Sequence, residues 1–376
     1  VDVAAGEDPI EVEREMDNVL QTFIQKGPDR KLLDAEKTKA LASFIRGAQR
    51  IGGFGGKSDL LATCQTYTGN PGCYINNAKY IDESTSGKIK STFSKWIDNT
   101  PYVLTILPSD KLATNESTVD RSKGVPYPTE KISFKFPSLQ TAELSNGAKV
   151  VLAERKNIPL VEMNIQFDFG YAQEDADQIG YTNFMMDMLN EGTKKYSSLE
   201  FDEVLDSLGA NMGFGSDLDT SYVSISSLKS NLDETLDLAK EAIMFPTFPE
   251  TEIARIKNQT LAALKRAEFQ PGSIAFRNIG NLLYGEDHPY GKLRIGSGAT
   301  QAIESIDSKK LSNIHKLALN PNHVTFTVAG DITLDEIVRL LESKFGKWTS
   351  GSHTDLKNLP NVALPEKRKV YLINKP

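Results

Sequence analysis

Valine, isoleucine and phenylalanine crowd two short runs, "AKVVLAE" at 148–154 and "LVEMNIQFDFG" at 160–170. Their partial alternation predicts two strands. Further on, "ANMGFGS" and "TSYVSISSL" repeat the strand pattern across a polar turn, and "VTFTVAG" closes the series. Between them the apolar period lengthens to that of a helix. A helix is expected over roughly 179–190, another over "SLEFDEVLDSLG" with Gly209 as its stop, and two more over about 231–245 and 249–268. Pro249 suits the start of the last of these. Helices at about 308–318 and from Leu334 to Phe345 complete the pattern. Strands in hairpin-like pairs followed by helices predict an α+β fold with a largely antiparallel sheet flanked by helices.

The pattern occurs more than once. Residues 86–110 lie over residues 307–331 without a gap, at an offset of 221 (331 − 110). Lys88, Ser91, Lys95, Asn99, Val103 and Asp110 fall on Lys309, Ser312, Lys316, Asn320, Val324 and Asp331. The same offset sets Pro28 on Pro249 and "VDVA" at the start of the chain on "YVSI" at 222–225. This predicts repeated domains. Residues 1–110 are the rear part of one unit, 111–131 a polar linker carrying Pro126 and Pro128, and 132–352 a complete unit. Residues 353–376 are a tail ending in "KRKVYLINKP", the expected first strand of a further unit.

Composition narrows the partners. With 43 Lys and Arg against 50 Asp and Glu in 376 residues, the net charge is -7. That argues against nucleic acid or an anionic membrane as the main partner. No apolar run approaches the roughly 18 residues that span a bilayer. The two cysteines, Cys64 and Cys73, flank a Gly-Asn-Pro-Gly turn, which permits a local disulfide but leaves free thiols open. No further Cys or nearby His completes a zinc set with them.

Few stretches offer chemistry. "RIGGFGGKSDL" at 50–60 has the look of a phosphate-binding loop, but Ile51 stands where the first glycine of that motif is required. It reads as a helix break, with a binding loop as the alternative. His288, His315, His323 and His353 form no i,i+3 or i,i+4 pair and suit structural or surface positions. There is no serine nucleophile elbow and no Cys–His signature. In "GYTNFMMDMLNEGTKKY" (180–196), however, Asn183 and Asp187 stand one turn apart, the spacing a metal-binding helix uses. The plain reading is a core helix whose stripe is Phe184, Met185, Met188 and Leu189.

The order of segments around that helix resembles the pitrilysin/insulinase family of zinc metallopeptidases, across nearly the whole chain. "SNGAKVVLAERKNIPLVEMNIQFDFGYAQED" is similar to its opening hairpin, and "FPETEIARIKNQTLAALKR" to its distal helix. "LYGEDHPYGK" and "NPNHVTFTVAGDI" resemble its later HPYG segment and closing strand. "GYTNFMMDMLNEGTKKY" takes the place of the inverted zinc motif HxxEH. In that motif two His one turn apart face one Zn²⁺, and the Glu before the second His takes a proton from bound water. A distal Glu is the third ligand.

The resemblance places the first ligand on Asn183, the base on Met186, the second ligand on Asp187 and the distal ligand on Ala263. It therefore implies a non-catalytic, substrate-enclosing portion of a two-half peptidase. Zinc would be bound upstream of Val1, with none expected in this chain. The Arg and Tyr that hold substrate backbone would lie beyond Pro376. The partners implied are the catalytic half of the same protein and a peptide or unfolded protein. The alternative within the family is a non-peptidase scaffold or peptide-binding subunit. The family's frequent export in bacteria, with the cysteine pair, points to the periplasm.

Overall fold

The computed structural model describes residues 3, 8–97, 102–104, 137–291, 298–349, 360–363, 367 and 369–373. The expected linker at 111–131 and nearly all of the expected "VDVA" strand lie outside the described residues, as does His353.

In chain order the elements begin with helices α1 (Pro9–Lys26), α2 (Arg30–Gly47), α3 (Lys57–Thr68), α4 (Cys73–Asp82) and α5 (Ser86–Trp96). Strands β1 (Gln140–Glu143), β2 (Lys149–Glu154) and β3 (Leu160–Phe167) follow, then α6 (Tyr181–Asp187) and α7 (Ser198–Ser207). Next come β4 (Asn211–Ser216), β5 (Ser221–Leu228), α8 (Leu232–Met244), α9 (Glu250–Ala267), α10 (Pro271–Tyr284) and α11 (Thr300–Glu304). The series ends with α12 (Ser308–Ala318), β6 (Val324–Gly330) and α13 (Leu334–Phe345). The helix over 271–284, the short α11 and strand β1 were not anticipated. Of the expected strand in the tail, 367 and 369–373 are described, and they lie outside the ladders of the sheet. Val370 and Leu372 stand exposed, and no neighbouring strand among the described residues offers a ladder.

The chain forms two compact units, Val1–Asp34 with Lys79–Pro137, and Ala35–Ala78 with Ser138–Pro376. In the first, α1 and α5 pack through Phe23 and Phe93, whose rings meet edge-on at 4.7 Å. Asp8 caps α1 and Thr85 caps α5, each accepting a first-turn N–H.

The second unit is built on a six-stranded sheet in the order β1-β2-β6-β3-β5-β4. Only β2 and β6 run parallel; the other pairs are antiparallel. The alternation read from the sequence is the alternation of burial: in β5, Ser221, Val223 and Ile225 face inward and Tyr222 and Ser224 outward. Helices α8, α12 and α13 supply Leu236, Ile314 and Leu341 to one continuous core with Ile165, Val223 and Phe326. Capping boxes start α7 at Ser197/Glu200 and α13 at Thr333/Glu336. Residues 35–78 group with this sheet for a visible reason. Ala42 is fully buried against Leu160 and Leu228, and Lys39 pairs with Asp206 at 3.0 Å. The Arg46 guanidinium donates to Ser226 Oγ at 2.8 Å and to the Gly209 carbonyl at 2.5 Å. Cys64 and Cys73 form a disulfide, with Cα atoms 5.4 Å apart, across the turn between α3 and α4.

Candidate functional site

Helix α6 is short and carries no side-chain cap from its own N-cap residue, Gly180. A buried carboxylate does that work instead. Glu174, 1% exposed, accepts the Gly180 N–H at 2.8 Å and the Thr182 N–H at 2.6 Å. Acceptors at a helix start satisfy otherwise orphaned donors and favour negative charge there. Gly180 has φ +105, and a Cβ there would lie 2.5 Å from Gly298 Cα, so only glycine fits the turn into the helix. Nothing in the sequence spacing singled out Glu174.

The four positions assigned to the zinc motif fare differently. Asn183 is half-buried, and its Oδ1 accepts the Ser216 N–H at 3.1 Å, tying α6 to the end of strand β4. Met186 is fully buried, together with Met185, Met188 and Leu189. Asp187 keeps solvent contact but is closely flanked by protein. The loss of water around it, with the charge of Glu191 second, pushes its pKa up to about 6. Ala263 sits on the exposed side of α9, whose buried positions are Ile253 and Leu264.

The link between α9 and the segment after α6 is made elsewhere on the helix, where Arg255 pairs with Glu191. Arg255 also holds Glu252 at 2.6 Å, and Glu191 accepts the Ser198 hydroxyl at 2.7 Å. Ala263 lies about 12 Å further along α9 at helical rise. This ion pair was missed in the sequence; its only signal was an acid four residues after Asp187.

The chemistry of these side chains does not fit zinc. An amide already holding a backbone N–H, a thioether inside the core, one carboxylate and a methyl group make no N/S/O tetrahedral set. Among the described residues, no group of three or more His, Cys, Asp or Glu is placed to hold a metal ion.

The histidines have structural places. His288 Nδ1 accepts the Tyr290 N–H at 2.9 Å, so its Nε2–H donates to the Pro360 carbonyl at 3.0 Å. Tyr290 in turn donates its hydroxyl to Asp219 at 2.6 Å, which holds the phenol proton and pushes its pKa up to about 12. Burial lowers the pKa of His315, whose ring bonds the Ile243 carbonyl.

The chain matches the family described as insulinase (peptidase family M16) over residues 149–292, and the peptidase M16 inactive domain over 305–376. A Helicobacter pylori protein, non-peptidase homolog YmxG, is 23% identical over 55% of this chain and 49% of its own length. The mitochondrial-processing peptidase subunit beta of Bos taurus is 21% identical over 61% of this chain and 46% of its own. Among solved structures, the peptidase M16 inactive domain from Pseudomonas fluorescens superposes with a TM-score of 0.54 at 27% identity, covering 59% of this chain and 54% of that one. The periplasmic protease PqqL from Escherichia coli gives a TM-score of 0.55 at 20% identity, over 60% of this chain and 25% of that one. The chain spans about half the length of the curated relatives it matches.

Proposed function

Since the chain belongs to the insulinase family of zinc metallopeptidases, we propose that it is a non-catalytic portion of such a peptidase, kept to enclose a polypeptide beside a catalytic half. The carrying observation is the fate of the motif helix. Where the family has two zinc-binding His and a base, this chain has Asn183 engaged with Ser216, Met186 in the core and Asp187 alone. The degenerate register supports a domain retained for shape. The whole protein would cleave peptides with zinc held by residues upstream of Val1, and its two halves would close around the substrate.

Two further features support this reading. The sheet face turned away from the core carries a shallow cleft of about 510 Å³ lined by Asn164, Ser224, Ser226 and Thr327 with the Glu162 carboxylate among them, a surface on which an extended chain could lie. Helix α1 of the first unit also carries an apolar stripe, one residue out of step (232 − 12 = 220) with the offset of 221. The apolar stripe Val12, Met16, Val19, Phe23 on α1 has the spacing of Leu232, Leu236, Ala239, Ile243 on α8. Residues 1–110 are thus read as the rear part of a second domain, 132–352 as the degenerate unit and 353–376 as the start of a further one. The Cys64–Cys73 bridge and the periplasmic relative support an oxidising compartment, the periplasm.

The test is made in the full-length protein. Peptide hydrolysis should survive Asn183→Ala and Asp187→Ala with kcat unchanged, and should be lost when an upstream HxxEH glutamate is changed to Gln. Loss of turnover in either of the first two variants, in protein that remains folded, contradicts the proposal. A second reading, a scaffold or peptide-binding subunit with no peptidase activity, is favoured by the likeness to the non-peptidase homolog. It predicts no hydrolysis by the full-length protein at all.

A further inference from the structure

The glycine-rich stretch 50–58, between α2 and α3, is a closed loop. The Lys57 N–H donates to the Arg50 carbonyl at 2.9 Å and the Ser58 N–H to the Ile51 carbonyl at 3.0 Å, while the Ser58 hydroxyl adds a bond to Ile51 at 2.8 Å. The Asp59 carboxylate accepts the Gly55 N–H at 2.8 Å. These bonds use the first two N–H groups of α3, those a phosphate would take, so the loop's own carbonyls fill the place of an anion.

What the loop presents is apolar. Gly53 and Gly55 have φ +79 and +75, on either side of Phe54, and a Cβ on Gly56 would lie 2.5 Å from the Gly52 carbonyl oxygen. That backbone turns Phe54 outward to 95% exposure, with Ile51 beside it at 80%. Arg50 and Lys57 stand exposed at the base, two cations against the one carboxylate of Asp59, which is engaged by the Gly55 N–H. An ordered loop that spends its hydrogen bonds holding a bare phenyl ring in water incurs a cost that contact with a partner would recover.

We infer that loop 50–58 is a docking tip that holds a large apolar side chain of an extended polypeptide, with acidic residues beside that side chain facing Arg50 and Lys57. This deepens the functional reading above and rests on it. Size decides against a folded partner. Phe54 and Ile51 together offer on the order of 300 Å², far short of the roughly 1,200 Å² of a stable protein–protein interface. One side chain of a peptide is the scale that fits. Charge selects among peptides, since the two cations at the base disfavour a basic segment and favour an acidic one. A membrane is the weaker fit, because one ring and one isoleucine with two cations give little anchorage to a protein of net charge -7.

The experiment is fluorescence anisotropy of the whole 376-residue chain with a labelled peptide carrying a central Leu-Phe pair flanked by glutamates. Control peptides replace the pair with Ser-Ser or the glutamates with lysines. The Leu-Phe acidic peptide should bind best, and Phe54→Ser should weaken it about tenfold. Arg50→Gln with Lys57→Gln should weaken it about threefold at low salt and less at high salt. Phe54 is so exposed that its replacement leaves folding unchanged, which circular dichroism checks. Equal binding by Phe54→Ser and the parent chain overturns the loop assignment while leaving the functional reading intact. No binding of any peptide by the parent chain overturns both. Phe54-dependent flotation with phosphatidylglycerol vesicles, or a Phe54-dependent dimer in sedimentation, in place of peptide binding, also overturns it.

Discussion

Helices α8 and α1 carry one apolar spacing and meet different fates. On α8, Leu232, Leu236, Ala239 and Ile243 are all buried against the sheet. On α1, Val12, Met16, Val19 and Phe23 stand at the same intervals, yet no residue of α1 is buried; Met16 is 44% exposed and Val19 67%. Phe23 meets Phe93 of α5, and little else among the described residues covers the stripe. The lesson is that periodicity states which face of a helix wants a partner and leaves the partner unnamed. In α8 the partner is the strand layer of its own unit. In α1 the same demand stands open among the described residues.

The sharpest way to break that comparison is to place a charge on each helix layer. Met186→Glu buries a carboxylate in the core of the second unit and should cost at least about 3 kcal/mol in urea unfolding, or prevent folding. Met16→Glu on the open stripe of α1 should stay within about 0.5 kcal/mol. Truncation gives the same contrast on the second position of each stripe. Leu236→Ala should lose about 3 kcal/mol, and Met16→Ala well under 1 kcal/mol. If the two truncations cost alike, the α1 face is covered in solution and the comparison fails.

A smaller effect tests what positions the motif helix. Removing the buried carboxylate with Glu174→Ala leaves the Gly180 and Thr182 N–H groups without their acceptor. The loss should be about 2 kcal/mol by thermal or urea unfolding, and hydrogen exchange should quicken first in 180–188.

The smallest expected effect concerns pH. Burial, then Glu191, raises the pKa of Asp187 to about 6, so the folded chain binds that proton more tightly than the unfolded chain. Stability from this group is therefore greatest below the unfolded value near ~4 and falls as pH climbs to about 6. Because Asp187 keeps solvent contact, screening reduces the penalty to about 1 kcal/mol at neutral pH. Asp187→Asn should recover that amount at pH 7.5 and nothing at pH 3.5. Equal stability of the two proteins at pH 7.5 would show that the carboxylate titrates normally.

The strands and most helices of the second unit were legible because burial follows local alternation there; β6 and α12 fall where their patterns place them. Helix α10 was not anticipated, and its apolar pattern misleads: Phe276, Ile279 and Leu283 point to solvent, while Ser273, Arg277, Gly280 and Asn281 lie on the more buried side. At the site, sequence pattern put Asn183, Met186 and Asp187 on one helix, where they lie. It could not show that Asn183 is bound to a strand end, or that Glu174 starts the helix, because both depend on residues that meet only after the sheet forms. The grouping of 35–78 with the sheet was hidden for the same reason, since Arg46 finds its acceptors at Gly209 and Ser226.

The account turns on whether helix α6 retains any metal chemistry, and zinc stoichiometry measures that directly. The chain is loaded with Zn²⁺, dialysed against metal-free buffer and assayed for bound zinc by mass spectrometry, alone and as Asp187→Ala. The expected result is no retained zinc in either protein. One zinc per chain in the parent, lost in Asp187→Ala, would contradict the reading of this domain as non-catalytic.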